Sequence, residues 1–184
     1  MMTPQTSRPT NRWKRGFTLI EMSMAMTLSI TIGAIMITLL QQQISFHRIT
    51  RAQNFLVQEA PQISNIVTQI LNRGDAYRIH VDLTDAISNA GAVESGGKVL
   101  VIGFNNPDNT QEFGMIAYEL IDDEPVLGYY NLSAAGNFAG AGNPDWIISR
   151  QVENVVFFVQ NGFFRLQLTG PAGESITYSR TPRL

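Results

Sequence analysis

A single acidic residue, Glu21, lies inside the most apolar stretch of the chain. Residues 17–40 contain no other charged side chain and no histidine. An ionised carboxylate in the middle of a bilayer costs roughly 2.5 to 3.5 kcal/mol on insertion scales. It therefore needs a partner of opposite charge, or a position from which it can reach the lipid headgroups. The chemistry that this spacing indicates is ionic pairing within or beside a membrane.

The apolar stretch is long enough to cross a membrane. Its 24 residues would form a helix of roughly 36 Å at ~1.5 Å per residue, compared with ~30 Å for the hydrocarbon core. Residues 1–16 have no acidic side chain and four basic ones, namely Arg8, Arg12, Lys14 and Arg15. This excess predicts a cytoplasmic N-terminus, although a basic cluster at residues 47–51 reduces the contrast between the two sides. We expect one membrane crossing, with the C-terminal body on the opposite side.

The segment RGFTLIE, residues 15–21, resembles the signature of type IV pilins and of the related pseudopilins of type II secretion. In that family a membrane-embedded aspartyl peptidase cuts after the glycine and methylates the new N-terminus. The resemblance implies cleavage between Gly16 and Phe17, methylation of Phe17, and a basic leader, residues 1–16, that is removed. It also implies that Glu21 pairs with the N-terminal ammonium of a neighbouring subunit in a filament. The alternative is a plain signal anchor in which Glu21 only reaches the headgroups.

The same resemblance implies the partners and the location. The partners are the prepilin peptidase and methyltransferase, other pilin or pseudopilin subunits, and an assembly platform in the bacterial inner membrane. The extreme tip subunit of such filaments can lack the acid, so a chain that retains Glu21 is expected to lie below another subunit. Residues 17–184 carry 9 basic and 15 acidic side chains, which argues against nucleic acid as a partner. Many members of the family have a proline near the end of the membrane span, where the helix can melt during filament assembly. This span has no proline there.

Small residues form a second pattern in the span. Ala25, Ser29 and Gly33 recur every four residues, which would let two membrane helices approach closely, although the recurrence could also arise by chance. The hydroxyl residues of the span are expected to bond back to helix carbonyls. They are Thr18, Ser23, Thr27, Ser29, Thr31 and Thr38.

Residues 41–73 are predicted to continue the helix in amphipathic form. An apolar stripe with steps of three and four residues supports this. It consists of Ile49, Ala52, Leu56, Ala60, Ile63, Val67 and Ile70. Pro61 predicts a kink or break near residues 59–61, and Gly74 predicts the end of the helix. The span and this segment together would form one helix of about 57 residues.

Residues 74–97 are predicted to be a linker, and residues 98–184 an antiparallel β-sheet head. Six β-rich runs support the head: KVLVIGF, FGMIAYELI, VLGYYNL, VENVVFFVQ, FFRLQLT and SITYSR. Turn signals at residues 122–125, 161–162 and 170–173 separate some of them, with Asn161-Gly162 the strongest. The predicted fold class is α+β, with the sheet packed on the amphipathic helix. The order of elements over residues 113–180 is similar to that of J-type minor pseudopilins and of the corresponding minor pilins.

Catalysis is not expected. The chain has no GxSxG, no HExxH and no phosphate-binding loop, and it lacks the cysteines needed for thiolate metal sites. No cofactor is predicted, except that the loop at residues 105–112 offers oxygen ligands suited to calcium, namely Asp108, Asn109 and Glu112. The same residue types are ordinary in turns.

The sequence therefore favours a membrane-anchored, non-enzymatic minor pilin or pseudopilin that helps to initiate a type IV pilus or a type II secretion pseudopilus. A major pilin of a longer fibre is one alternative. A solitary signal-anchored periplasmic binding domain is another.

Overall fold

The computed structural model of the chain describes residues 16–88, 91–132 and 143–181. The chain divides into two units, Met1–Ser45 and Phe46–Leu184. The described part of the first unit is helical from Leu19 onward, whereas the second unit combines helices with two antiparallel sheets. The predicted α+β fold class is confirmed.

Helix α1 runs from Leu19 to Asn54, and not one of its residues is buried. Hydroxyl side chains of the span donate to carbonyls three or four residues earlier, as predicted. The pairs are Ser23 to Ile20, Thr27 to Ser23, Ser29 to Ala25, Thr31 to Thr27 and Thr38 to Ala34. Within the described residues, the helical stretch Leu19–Arg73 is the one that is long and apolar enough to cross a membrane. The described part of the chain is therefore consistent with a single membrane crossing.

The helix does not break at Pro61. Residues Phe55–Glu59 form a π-helical turn in which the Ala60 N–H donates to the Phe55 carbonyl, and helix α2 follows at Ala60–Arg73. Proline has no N–H to donate, and in an α-helix its ring crowds the carbonyl four residues earlier. A wider turn directly before the proline accommodates both effects. The interruption predicted near residues 59–61 is a π turn inside a continuous helix.

Helix α2 buries one face, as the stripe predicts. Its buried residues are Ala60, Ile63, Ser64, Val67, Thr68 and Leu71. Before α2 the prediction is less accurate, since Ile49 is exposed while Phe55, absent from the predicted stripe, is buried. The π turn holds more residues than an α turn, so it shifts the buried face relative to a regular helical period.

Within the described residues, eight strands form two antiparallel sheets. Sheet A has the order β1-β2-β3-β4-β5, with the strands Ala76–His80, Val99–Asn105, Gln111–Ile121, Glu124–Leu132 and Trp146–Ser149. Sheet B has the order β6-β7-β8, with the strands Asn154–Gln160, Phe163–Thr169 and Ser175–Arg180. All six predicted β-rich runs form strands. The head contains two sheets instead of the single sheet predicted.

The two tightest hairpins have the geometry that their sequences favour. Asn161 and Gly162 have positive φ angles of 54° and 77°, and they join β6 to β7. Asp122 and Asp123 have φ angles of 53° and 63°, and they join β3 to β4. Two consecutive positive φ angles are typical of the type I′ turn, whose twist matches that of the flanking strands. The Asn-Gly hairpin prediction is confirmed.

The segment 74–97, predicted to be a linker, contains strand β1 and the short helix α3, Leu83–Ile87. Strand β1 pairs antiparallel with β2. Helix α3 is capped by Asp82, whose Oδ1 accepts from the Asp85 N–H at 2.9 Å. Both elements are five residues long. Such lengths are too short to display a period, so only their tertiary pairing identifies them.

Strand β2 is buried on both faces, which makes it the centre of the second unit. Leu100 and Ile102 belong to one apolar cluster with α2 and sheet B. Val99 and Val101 point to the other face and belong to a second cluster, which includes Ala86 of α3. The alternation along this strand therefore divides the core into two parts.

Gly97, just before β2, joins the two sheets. Its N–H donates to the Phe157 carbonyl at 3.2 Å, and its own carbonyl accepts from the Phe157 N–H at 2.7 Å. A Cβ atom at this position would lie 2.1 Å from Ile79 Cγ2 and 2.6 Å from the His80 carbonyl oxygen. The junction therefore requires a residue without a side chain, because part of what surrounds it is backbone.

We predict that Gly97→Ala lowers the free energy of unfolding by roughly 1 to 3 kcal/mol, the usual cost of an inserted methyl group in a packed site. The control is Gly91→Ala, since a Cβ there would meet nothing within 4 Å, and a change of less than about 0.5 kcal/mol is expected. Denaturant unfolding of the two variants in the same detergent measures the difference. Equal stabilities would contradict the role assigned to Gly97.

Candidate processing and docking site

The bond between Gly16 and Phe17 lies just outside the helix. Residues 16–18 are not helical, and α1 begins at Leu19. Phe17 is 83% exposed, and a Cβ atom built on Gly16 would meet nothing within 4 Å. Nothing in the described part of the chain therefore needs a glycine at position 16 for packing.

Glu21 has a partner within its own helix. Its Oε2 accepts from the Thr18 N–H at 2.9 Å and from the Thr18 hydroxyl at 3.0 Å. Thr18 Oγ1 in turn accepts from the Glu21 N–H at 3.3 Å. This reciprocal arrangement is a capping box, in which a threonine before the helix and a glutamate three residues later satisfy each other's backbone donors. A carboxylate in the first turn also interacts favourably with the helix dipole.

The capping box corrects the sequence analysis on one residue. Thr18 was expected to bond back to a helix carbonyl, but it precedes the helix and bonds to Glu21 instead. The signal was present in the sequence, because Thr-x-x-Glu before an apolar run is the pattern of a helix start. The structure therefore gives Glu21 a local role, the capping of its own helix.

The small-residue ridge is accessible along α1. Ala25 and Ser29 are exposed and Gly33 is half-buried. The Ser29 hydroxyl donates to the Ala25 carbonyl at 2.8 Å, and the space beside Gly33 is open. The basic side chains of the leader all belong to residues 1–15, which lie outside the described residues.

The loop proposed for calcium is a hairpin connection between β2 and β3. Asp108 Oδ1 accepts from the Thr110 hydroxyl at 2.6 Å and from the Thr110 N–H at 3.1 Å, and these bonds lower the pKa of Asp108. Asn109 provides the positive φ of the turn, at 63°, and Glu112 is exposed within β3. Among the described residues, no three His, Cys, Asp or Glu side chains are grouped closely enough to hold a metal ion. The turn accounts for Asp108 and Asn109 without a ligand.

Comparisons with protein-family models, with curated proteins and with solved structures found no match to this chain.

We predict that Glu21→Ala accelerates hydrogen exchange at the Thr18 amide about fivefold, because loss of a cap costs about 1 kcal/mol. Glu21→Gln should change it less, since the amide oxygen still accepts the bond. NMR of the full chain in bicelles measures the exchange. Thr38→Ala, which removes a hydroxyl within the helix, is the control. Equal rates in all four proteins would show that the capping box is not formed in lipid.

Proposed function

We propose that this chain is a minor pilin or pseudopilin, a structural subunit that helps to prime assembly of a type IV pilus or a type II secretion pseudopilus. The observation that carries the proposal is the Gly16-Phe17 bond, followed by Glu21, in a non-helical segment directly before an exposed apolar helix. This arrangement would offer a peptidase at the membrane surface a non-helical backbone without a side chain at the glycine.

Hydrolysis at this bond would change the charges of the site. Water adds across the peptide bond, the leader departs with a new carboxylate on Gly16, and Phe17 acquires an ammonium. Before cleavage that nitrogen is an uncharged amide, so Glu21 has no ammonium nearby and caps the helix through Thr18. After cleavage it can accept from the ammonium of a neighbouring subunit. Processing would thereby convert a capping carboxylate into a docking charge.

Docking would cover the surface that the chain leaves open. All of α1 is unburied in the single chain, and its small-residue ridge faces open space at Gly33. Packing of several such helices would shield the apolar side chains, while the Glu21 and ammonium pair would be removed from water together. A subunit that keeps its glutamate would then lie below another subunit. The head, with its two sheets, would face outward.

The capping box favours a second candidate, a solitary domain held by a signal anchor. The hydrogen bonds between Thr18 and Glu21 cap the helix, so they account for an acid at position 21 without any neighbouring subunit. In that case the leader would stay attached and Glu21 would act only on its own helix. Processing and docking are therefore the properties that separate the two candidates.

We predict that Gly16→Leu blocks removal of the leader in cells that contain a prepilin peptidase. Gly33→Leu is the matched control, because a side chain at either glycine meets open space and neither change strains the chain. Immunoblotting resolves the precursor from the processed form. Equal processing of both variants would refute a glycine-dependent cleavage site at residue 16.

The docking role predicts a different response for two variants of the same capping box. Glu21→Gln preserves the cap but removes the charge, so it should reduce crosslinking between neighbouring helices more than about a hundredfold, given about 3 to 5 kcal/mol for breaking a buried ion pair. Thr18→Ala removes the capping hydroxyl but keeps the charge, so crosslinking should persist.

Cysteines introduced at Ile20 and Met24, both exposed, report the crosslinks in a chain that has no natural cysteine. Loss of crosslinking in Thr18→Ala together with full crosslinking in Glu21→Gln would assign Glu21 to the cap alone.

A further inference from the structure

Three basic side chains lie on one face of α1 beyond the apolar span. Arg48 lies one residue after His47, and Arg51 lies four residues after it. At about 100° of rotation per residue, the three side chains fall within an arc of about 100° around the helix axis. All three are exposed. We call these residues the basic face.

No acidic side chain of the helix offsets the basic face. The sequence has no Asp or Glu between Glu21 and Glu59. Among the described residues Arg150 forms an ion pair with Glu124, and neither Arg48 nor Arg51 takes part in an ion pair. The two guanidinium groups are therefore exposed, and no nearby acidic side chain of the same helix neutralises their positive charge.

Exposed apolar side chains alternate with the basic ones. Phe46 is 69% exposed and Ile49 is 56% exposed. A segment that exposes both an aromatic ring and arginines resembles the interfacial region of membrane helices, where rings lie at headgroup depth and guanidinium groups meet phosphates. The mixture of side chains thus fits a boundary between hydrocarbon and water.

The position of the basic face along α1 also fits the boundary between hydrocarbon and water. Arg48 follows Leu40 by eight residues within α1, a rise of about 12 Å. The headgroup zone adds about 5 to 8 Å on each side of the hydrocarbon core. A flexible arginine side chain can extend back toward the bilayer, and the remaining gap is within the Debye length of about 8 Å at physiological ionic strength.

We infer that the basic face binds the headgroups of anionic phospholipids in the leaflet from which the helix emerges. This inference goes beyond the proposed function and needs only the membrane crossing. An anionic lipid would supply the missing negative charge, and would fix the depth at which the second unit begins. Lipid binding would also keep the helix anchored by charge on this side of the membrane after the basic leader had been removed on the other side.

Fluorescence quenching in bilayers tests the inference with the full chain. A dye on Ile44→Cys lies one turn before Arg48, and it is unique because the chain has no cysteine. Spin-labelled phosphatidylglycerol and spin-labelled phosphatidylcholine are compared as quenchers in phosphatidylcholine vesicles. We expect phosphatidylglycerol to be preferred roughly fivefold to thirtyfold at low salt, the range that one and two arginines give at about 1 kcal/mol each.

The preference for phosphatidylglycerol should vanish in the double variant Arg48→Gln/Arg51→Gln. It should persist in the double variant Arg48→Lys/Arg51→Lys, because lysine keeps the positive charge. It should also fall at 1 M salt, where the Debye length shrinks to about 3 Å. The control is Arg73→Gln/Arg180→Gln, which removes the same charge from two exposed positions of the second unit and should leave the preference intact.

Equal quenching by the two lipids in the unmodified helix would overturn the inference. So would a preference that survives Arg48→Gln/Arg51→Gln, or one that the control abolishes equally. A basic face that instead binds an acidic turn of a second copy, such as Asp122 and Asp123, would show no lipid preference. Failure of the filament proposal would leave this experiment unaffected, since no assembly is required.

Discussion

Helix α1 presents an apolar surface that the chain itself does not cover, and the rest of the molecule can be understood from that constraint. A soluble amphipathic helix buries one stripe against a core, but here not one residue of α1 is buried. Burial of apolar area stabilises by roughly 25 cal/mol per Å², so this surface is suited to contact with lipid or with other helices. Amphipathic packing begins only at the π turn, where Phe55 is buried, and it continues through α2.

Glu21 is tolerated in that surface because it is at the very start of the helix. There its carboxylate can satisfy the Thr18 N–H, which has no partner within the helix. The same location places it beside the terminus that cleavage after Gly16 would create. If the proposed cleavage occurs, the carboxylate that caps the helix in the precursor would be close to the new N-terminus in sequence.

The parts of the fold with a repeated pattern could be predicted from the sequence. The apolar span, the α2 stripe, six strands and the Asn161-Gly162 hairpin all depend on periods or turn preferences that neighbouring residues reveal. The parts of the fold that were not predicted depend on contacts between residues that are distant in sequence. Strand β1 is defined by its pairing with β2, and the two sheets are joined by the bonds between Gly97 and Phe157. At the candidate site the roles of Gly16 and Glu21 stay predictions. Thr18 was given the wrong partner, although its Thr-x-x-Glu pattern was visible in the sequence.

The intact mass of the chain purified from membranes of cells that contain a prepilin peptidase tests the central claim most directly. The account predicts a chain that has lost residues 1–16, begins at Phe17 and carries one additional methyl group. A chain that still carries its leader would contradict the account. It would leave Glu21 as the cap of a plain membrane anchor.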